Sequence, residues 1–311
     1  LSSAASDVYK RQEMEILYSI IIPHKDIPCL LQRCLDSIPP RDDVQIIVAD
    51  DDSSPDVVDF AHFPGSDRTD VEILFTKEGR GAGYARNCGL ARAKGRWLVF
   101  ADADDFFLPG FLNVLDTYRN TDYDLITFRA ETVDSDTLAP VPSRQIHNGK
   151  IAEDMDLEIL KYRNDVPWAK MVSAELVRRY RICFDETVAA NDAMFAAYVD
   201  YHARKVAACS GYVYCVTVRK DSLQYGVRSD TLLARVKVAC RYNRFLLDIG
   251  RSDKVLYSYS RVTDCRKHFG SKGYCRALCI YFRFESWKNI YRTFAELLKS
   301  KFHCTSITKV L

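Results

Sequence analysis

VQIIVADDDSSPD, Val44 to Asp56, is the stretch on which the fold turns: a continuous, largely β-branched run stops abruptly in Asp50, Asp51, Asp52, Ser53 and Ser54. Such a run is expected of a strand buried on both faces, as in a parallel sheet. The same alternation continues on either side. SIIIP (Ser19–Pro23) reads as an earlier strand, and Leu30, Leu31, Cys34, Leu35 and Ile38 recur at helical spacing just after Pro28. VEILF (Val71–Phe75) is a third strand, Ala82–Ala93 a helix and RWLVFA (Arg96–Ala101) a fourth strand. Pro109–Arg119 is a further helix, followed by the strand DLITF (Asp124–Phe128). Strands alternating with helices predict an α/β fold, a mainly parallel sheet flanked by helices. Asp136–Lys150, rich in proline and polar residues, reads as a loop, and a helical region follows Leu232.

The 311 residues suggest about two units. With 48% apolar and 28% charged residues, whole-chain disorder is excluded. The net charge of +2 argues against a nucleic-acid binder, but it averages two unlike parts. Residues 261–311 hold 11 basic and 3 acidic side chains, so the body before them is net acidic. Eleven cysteines, an odd number with no CxxC pair, predict reduced thiols in a cytoplasmic protein rather than a disulfide framework. Residues 1–13 are polar and are expected to be an expression or sequencing scar, with Met14 the expected start. No run of about 18 apolar residues occurs, so no span is expected, and the protein is placed in the cytoplasm or on the inner face of the membrane.

Ligands of parallel sheets bind beyond the carboxyl ends of the strands. Strand two ends in the Asp50 cluster and strand four in Asp102, Ala103, Asp104 and Asp105. One such cluster would be ordinary strand termination and helix capping. Two at strand ends of one sheet call for donors or a shared cation. Asp-x-Asp-Asp offers hard oxygen ligands on a short turn, suited to Mg²⁺ or Mn²⁺ completed by phosphate oxygens and water. The first cluster is better suited to accepting hydrogen bonds from a base N–H and ribose hydroxyls. Together they describe a site for a metal and a nucleotide diphosphate.

SIIIPHKD, IIVADDDSSPD, GRGAGYARNCGLARAKGRWLVFADADD and FDETVAANDAMF, in this order, resemble glycosyltransferase family 2 over Tyr18 to Tyr214. The resemblance implies a GT-A, Rossmann-like fold and inverting transfer from a nucleotide-diphospho sugar, a UDP-sugar, to a hydroxyl of a glycan or lipid-linked acceptor in cell-surface polysaccharide synthesis. It implies that Pro23 and its loop frame the base and ribose, that Asp51 contacts the base with Asp50 beside it, and that Arg86 and Asn87 open the helix beneath the nucleotide. Asp102 and Asp104 match the DxD pair, with Asp104 on the metal and Asp102 near ribose and metal. Asp192 matches the catalytic base, which takes the acceptor proton as the oxygen attacks the anomeric carbon. This chain departs from the family pattern in three places. His24, Lys25 and Asp26 follow the first strand's proline, Asp52 replaces a glycine, and Asn191 replaces the first acid of the Glu-Asp motif. Trp168 and Asn191 are acceptor-side candidates, the tryptophan as a stacking face or as core, and Lys170 a phosphate contact or none.

Other readings compete. Gly79–Gly83 opens a helix after a strand, but Tyr84 occupies the sixth position of a dinucleotide fingerprint. A sugar-nucleotide transferase would carry a glycine-rich Arg-Lys loop after strand one, and a nucleotide-sugar-binding pseudoenzyme would be marked by Asn191. The expected organisation is a glycosyltransferase domain at 14–225, with a nucleotide half (14–130) and an acceptor half (131–225), then a basic helical extension at 226–311. In that extension Ile280, Phe284, Trp287, Tyr291, Phe294 and Leu298 are expected to form one helix face beside Lys288, Arg292 and Lys299. Such a helix either packs its aromatic stripe on the domain or lies on an anionic membrane.

Overall fold

β1 (Tyr18–His24) and β2 (Val44–Asp51) are buried along their whole length, and their side chains sort by parity into two cores. In the computed structural model, which describes residues 15–141, 157–219 and 228–295, Ile20, Ile22, Ile46, Val48, Trp97 and Val99 face one core. Ile21, Ile47, Leu98 and Phe100 face the other. The period-two alternation of a pleated strand divides an uninterrupted apolar run in this way. A sheet covered on both faces is the result, as the sequence predicts.

Among the described residues the sheet has eight strands in the order β3-β2-β1-β4-β7-β6-β8-β5, counting β3 (Val71–Thr76), β4 (Trp97–Phe100), β5 (Phe106–Phe107), β6 (Leu125–Asp134), β7 (Lys170–Ser173) and β8 (Val206–Val218). The β3-β2-β1-β4 half is parallel, whereas β7 pairs antiparallel with both β4 and β6. α1 (Pro28–Asp36), α2 (Ala82–Arg92) and α3 (Phe111–Asp116) link the early strands. α3 is shorter than the expected Pro109–Arg119: Gly110 takes a left-handed conformation (φ 78°) immediately before it, and residues 117–120 pass into turns after it. α2 lies close on the sheet: a Cβ at Gly89 would stand 2.5 Å from Ile21 Cγ2. α4 (Leu157–Arg163), α5 (Ala174–Tyr180) and α6 (Ala193–His202) follow.

The chain divides into two units, Leu1–Glu186 with Phe195–Ser222, and Thr187–Met194 with Leu223–Leu311. In the second, α7 (Ser229–Asp248) and α8 (Tyr259–Phe284) enclose a separate core of Leu232, Val236, Cys240, Tyr259, Val262, Cys265, Ala277, Tyr281 and Ile290. A last helix, α9, occupies 287–295 of the described residues. The single long helix face expected from Ile280 to Leu298 is therefore corrected. Glu285 is extended (ψ 154°), and its buried carboxylate accepts hydrogen bonds from Asn243 Nδ2 (2.9 Å) and Ser258 Oγ (2.6 Å). After this break the Ser286 hydroxyl accepts the Asn289 N–H (3.2 Å) and caps α9. Leu298 and Lys299 lie outside the described residues, as do the scar expected at 1–13, Met14, most of the loop predicted up to Lys150, and the boundary at 225–226. No described helix is long and apolar enough to cross a membrane, and Cys29, Cys34, Cys88, Cys183, Cys209, Cys215, Cys240, Cys265, Cys275 and Cys279 are free thiols.

Candidate active site

β1, β2 and β4 run parallel, so the chain leaves them at one edge of the sheet. Pro23, buried in β1, lies opposite Ala49, and His24 opposite Asp50. Consecutive residues of a strand point to opposite faces, and the two acids ending β2 therefore do different work.

Asp50 is turned inward. Its Oδ1 accepts from His24 Nδ1 (2.7 Å) and Ser53 Oγ (2.6 Å), and its Oδ2 from the Ser53 N–H (3.0 Å). Burial opposes its ionisation, but the bonds from His24 and Ser53 outweigh it and hold the carboxyl below the usual range. His24 Nε2 in turn accepts the Ile27 N–H at 3.2 Å, which places the ring proton on Nδ1. Asp50 thus braces the loop after β1, a correction to the expectation that it faces a nucleotide beside Asp51. Asp51 is turned to the opposite face of the strand and is likewise buried. Its Oδ2 accepts the Gly81 N–H (2.7 Å), while Oδ1 is buried with no hydrogen-bond partner among the described residues. Burial pushes this carboxyl above its ordinary value.

The substitution at Asp52 leaves the turn intact. Asp52 adopts φ 60°, the left-handed conformation that the usual glycine would take and that aspartate tolerates better than most residues. Lys25 Nζ locks this turn, donating to the carbonyls of Asp51 (2.7 Å) and Asp52 (3.1 Å).

At the end of β4, the Asp102 N–H donates to the Tyr214 hydroxyl (2.8 Å) and the Asp102 carboxylate accepts from Arg86 (2.5 Å). Arg86 is buried on α2 with Phe184 beneath its guanidinium (5.3 Å to the ring centroid), so it orients Asp102. Its neighbour Asn87 clasps the Phe184 backbone from both sides (3.0 and 2.8 Å). Asp105 is fully buried and accepts the Thr217 N–H (2.7 Å), and Thr217 Oγ1 donates to the Asp104 carbonyl (2.7 Å). Arg33 also donates to that carbonyl (2.7 Å). With its backbone held on both sides, the turn leaves the Asp104 side chain partly open, 3.4 Å from Arg219 Nε. Burial, and then the charge of Asp102, push the Asp104 carboxyl up.

Arg219 is the site residue that the sequence reading missed. It follows the end of β8, and no motif marks it. The structure also removes two candidates. Trp168 is 6% exposed and stacks on Tyr214 (5.6 Å between centroids, 14° between planes), so its ring belongs to the core and offers no open face to a sugar. Lys170 is buried and donates to the Asn164 carbonyl (2.6 Å). Trp168→Ala is expected to cost about 3–5 kcal/mol of stability, the range for a large buried aromatic. Denaturant unfolding checks this; an unchanged midpoint with a raised KM for acceptor would restore the stacking role. Asn191 and Asp192 are half-buried and stand immediately before α6.

The donor set of the β4 turn suits a hard divalent cation. Asp102 and Asp104 supply carboxylate oxygens whose mutual repulsion such an ion would relieve. Among the described residues no group of three or more His, Cys, Asp or Glu is placed to hold a metal. Mg²⁺ and Mn²⁺ sites of one or two carboxylates draw their remaining ligands from phosphate and water.

Comparison with known proteins is consistent across sequence and structure. The model of the family described as glycosyl transferase family 2 matches residues 19–181. A poly(ribitol-phosphate) beta-glucosyltransferase of Bacillus spizizenii is 27% identical over 215 residues, 65% of this chain and 32% of that protein. A GalNAc(5)-diNAcBac-PP-undecaprenol beta-1,3-glucosyltransferase of Campylobacter jejuni is 32% identical over 108 residues, 34% of this chain and 35% of that protein. The chain thus spans about a third of the length of each of these two relatives. Among solved structures, residues 1–349 of S. aureus TarS with UDP-GlcNAc superimpose with a TM-score of 0.66 at 16% identity, covering 88% of this chain and 82% of that one. The fold is of the GT-A type.

Proposed function

Because the chain belongs to glycosyltransferase family 2, we propose that it is an inverting glycosyltransferase moving a sugar from a nucleotide-diphospho sugar, specifically a UDP-sugar, to a hydroxyl of a glycan or lipid-linked acceptor in cell-surface polysaccharide synthesis. One observation carries this reading: two acid-rich turns at one sheet edge, one holding an Asp51 acceptor oxygen that is buried and has no partner among the described residues, the other carrying a partly open carboxylate on Asp104.

Asp51 Oδ1 accepts an N–H from the base, which suits a base with an imide N–H such as uracil, and Pro23 with its loop frames base and ribose. Arg86 fixes Asp102 toward the ribose and metal. Asp104, with Asp102, would hold Mn²⁺ or Mg²⁺, an ion that stabilises the negative charge gathering on the leaving diphosphate without proton transfer. Arg219 adds a positive charge on the same side of the turn. Asp192 takes the proton of the acceptor hydroxyl, with Asn191 beside it on the acceptor side. Free thiols and the absence of a membrane-spanning helix among the described residues are compatible with work in the cytoplasm or on the inner membrane face.

UDP-, GDP- and dTDP-sugars, each with Mn²⁺, test this directly. A UDP-sugar is expected to add about 2.7 kcal/mol of stability at a hundredfold excess over Kd, seen as a higher unfolding temperature, and to be hydrolysed slowly without acceptor. Binding without any release of UDP would mark a pseudoenzyme; no stabilisation by any donor would end the proposal.

A further inference from the structure

The second unit exposes an aromatic and basic surface. On α9, Trp287 and Tyr291 are 76% and 79% exposed, while Asn289, Ile290 and Thr293 are the buried positions. Trp287, Tyr291 and Phe294 recur at i, i+4 and i+7, so they share one face of the helix, and that face points outward. Phe282, exposed near the end of α8, stacks on Phe294 with centroids 6.2 Å apart and planes 2° apart, which joins the outer faces of the two helices. Lys272, Arg276, Arg283, Lys288 and Arg292 are exposed along the same two helices. Between residues 270 and 295 the one acid is Glu285, and it is buried against Asn243 and Ser258.

We infer that this face of α8 and α9 is a docking surface for an anionic lipid bilayer. Tryptophan and tyrosine side chains exposed over about three-quarters of their surface cost solubility unless their apolar bodies have somewhere to go, and the headgroup boundary receives both their ring and their polar atom. Five cations without an exposed acid give such a surface a sign, and each Lys or Arg close to an anionic leaflet adds to binding. A folded protein partner would not require a charge so one-sided. Nothing in this inference depends on the transferase chemistry, because it rests on the second unit alone. It does place the protein where lipid-linked acceptors are.

The protein carries its own probe. Of the three tryptophans, Trp97 and Trp168 are buried and Trp287 is exposed. Vesicles of phosphatidylcholine with phosphatidylglycerol are expected to shift tryptophan emission to the blue and to sediment the full chain. Phosphatidylcholine alone should do neither, and raising NaCl from about 0.1 to about 0.5 M should reverse both effects. Trp287→Ser with Tyr291→Ser is expected to weaken vesicle binding roughly tenfold or more. Arg283→Glu with Lys288→Glu should abolish the preference for phosphatidylglycerol. Circular dichroism and donor hydrolysis should be those of the wild type in both variants. Unaltered vesicle binding by the first variant would overturn the inference. So would wild-type self-association that this variant abolishes while vesicles leave the emission unmoved, which would make the face a contact between copies. Loss of donor hydrolysis in the wild type would refute the transferase reading and leave this one standing.

Discussion

Asp192→Asn is expected to lower kcat by ~10²–10⁴-fold, the range for loss of a general acid or base, while the affinity for UDP-sugar changes little. The asparagine keeps the size and much of the polarity of the side chain but cannot take a proton at neutral pH. Inverting displacement needs a carboxylate to receive the acceptor proton as the nucleophile closes on the anomeric carbon. The loss therefore falls on the transition state, about 3–5 kcal/mol, and not on the ground state. The substitution lies just ahead of α6, where asparagine is a good helix cap, so the fold should tolerate it. Steady-state kinetics with calorimetric titration of nucleotide separates the two quantities. Near-normal turnover would sink the assignment of Asp192, and loss of nucleotide affinity would show that it serves binding.

Asp104→Ala should act differently. It removes the open carboxylate of the β4 turn but none of the contacts that hold the turn's backbone, which come from Arg33 and Thr217 to the Asp104 carbonyl. Stability should change little, and relief of a partly buried carboxyl beside Asp102 could even raise it. Activity should fall by roughly 10³-fold or more, the scale of several kcal/mol of charge stabilisation, and the residual rate should no longer respond to Mn²⁺ or to EDTA. Activity of the wild type that persists undiminished in EDTA would remove the metal from the mechanism.

Much of this site is legible locally because its acids follow strands whose burial is written in the sequence. A run such as IIV announces a strand covered on both faces, and the residue that ends it must sit at an edge. What a local pattern cannot show is the far side of each contact. Asp50 and Asp51 were bound to point apart, since side chains alternate along a strand. Which of the two braces the loop after β1 depends on His24, 26 residues earlier, whose ring bonds Asp50. Arg219 lies beyond the reach of any spacing rule. The end of β8 comes beside the Asp104 turn through pairings with a separation of 112 residues or more.

The C-terminal unit makes the same division. Periodicity found the aromatic positions but continued one helix through Glu285, overriding the local cap signal of Ser286, whose hydroxyl accepts the Asn289 N–H at the start of α9 (3.2 Å). The sequence alone determined the α/β alternation, the two acid-bearing strand ends and the family to which they belong, since each rests on a short-range pattern of burial and chemistry. The tertiary structure decided which acid braces the loop after β1, that Trp168 is core and that Trp287 is not. Those outcomes depend on which surfaces meet, and packing settles that between residues far apart in the chain.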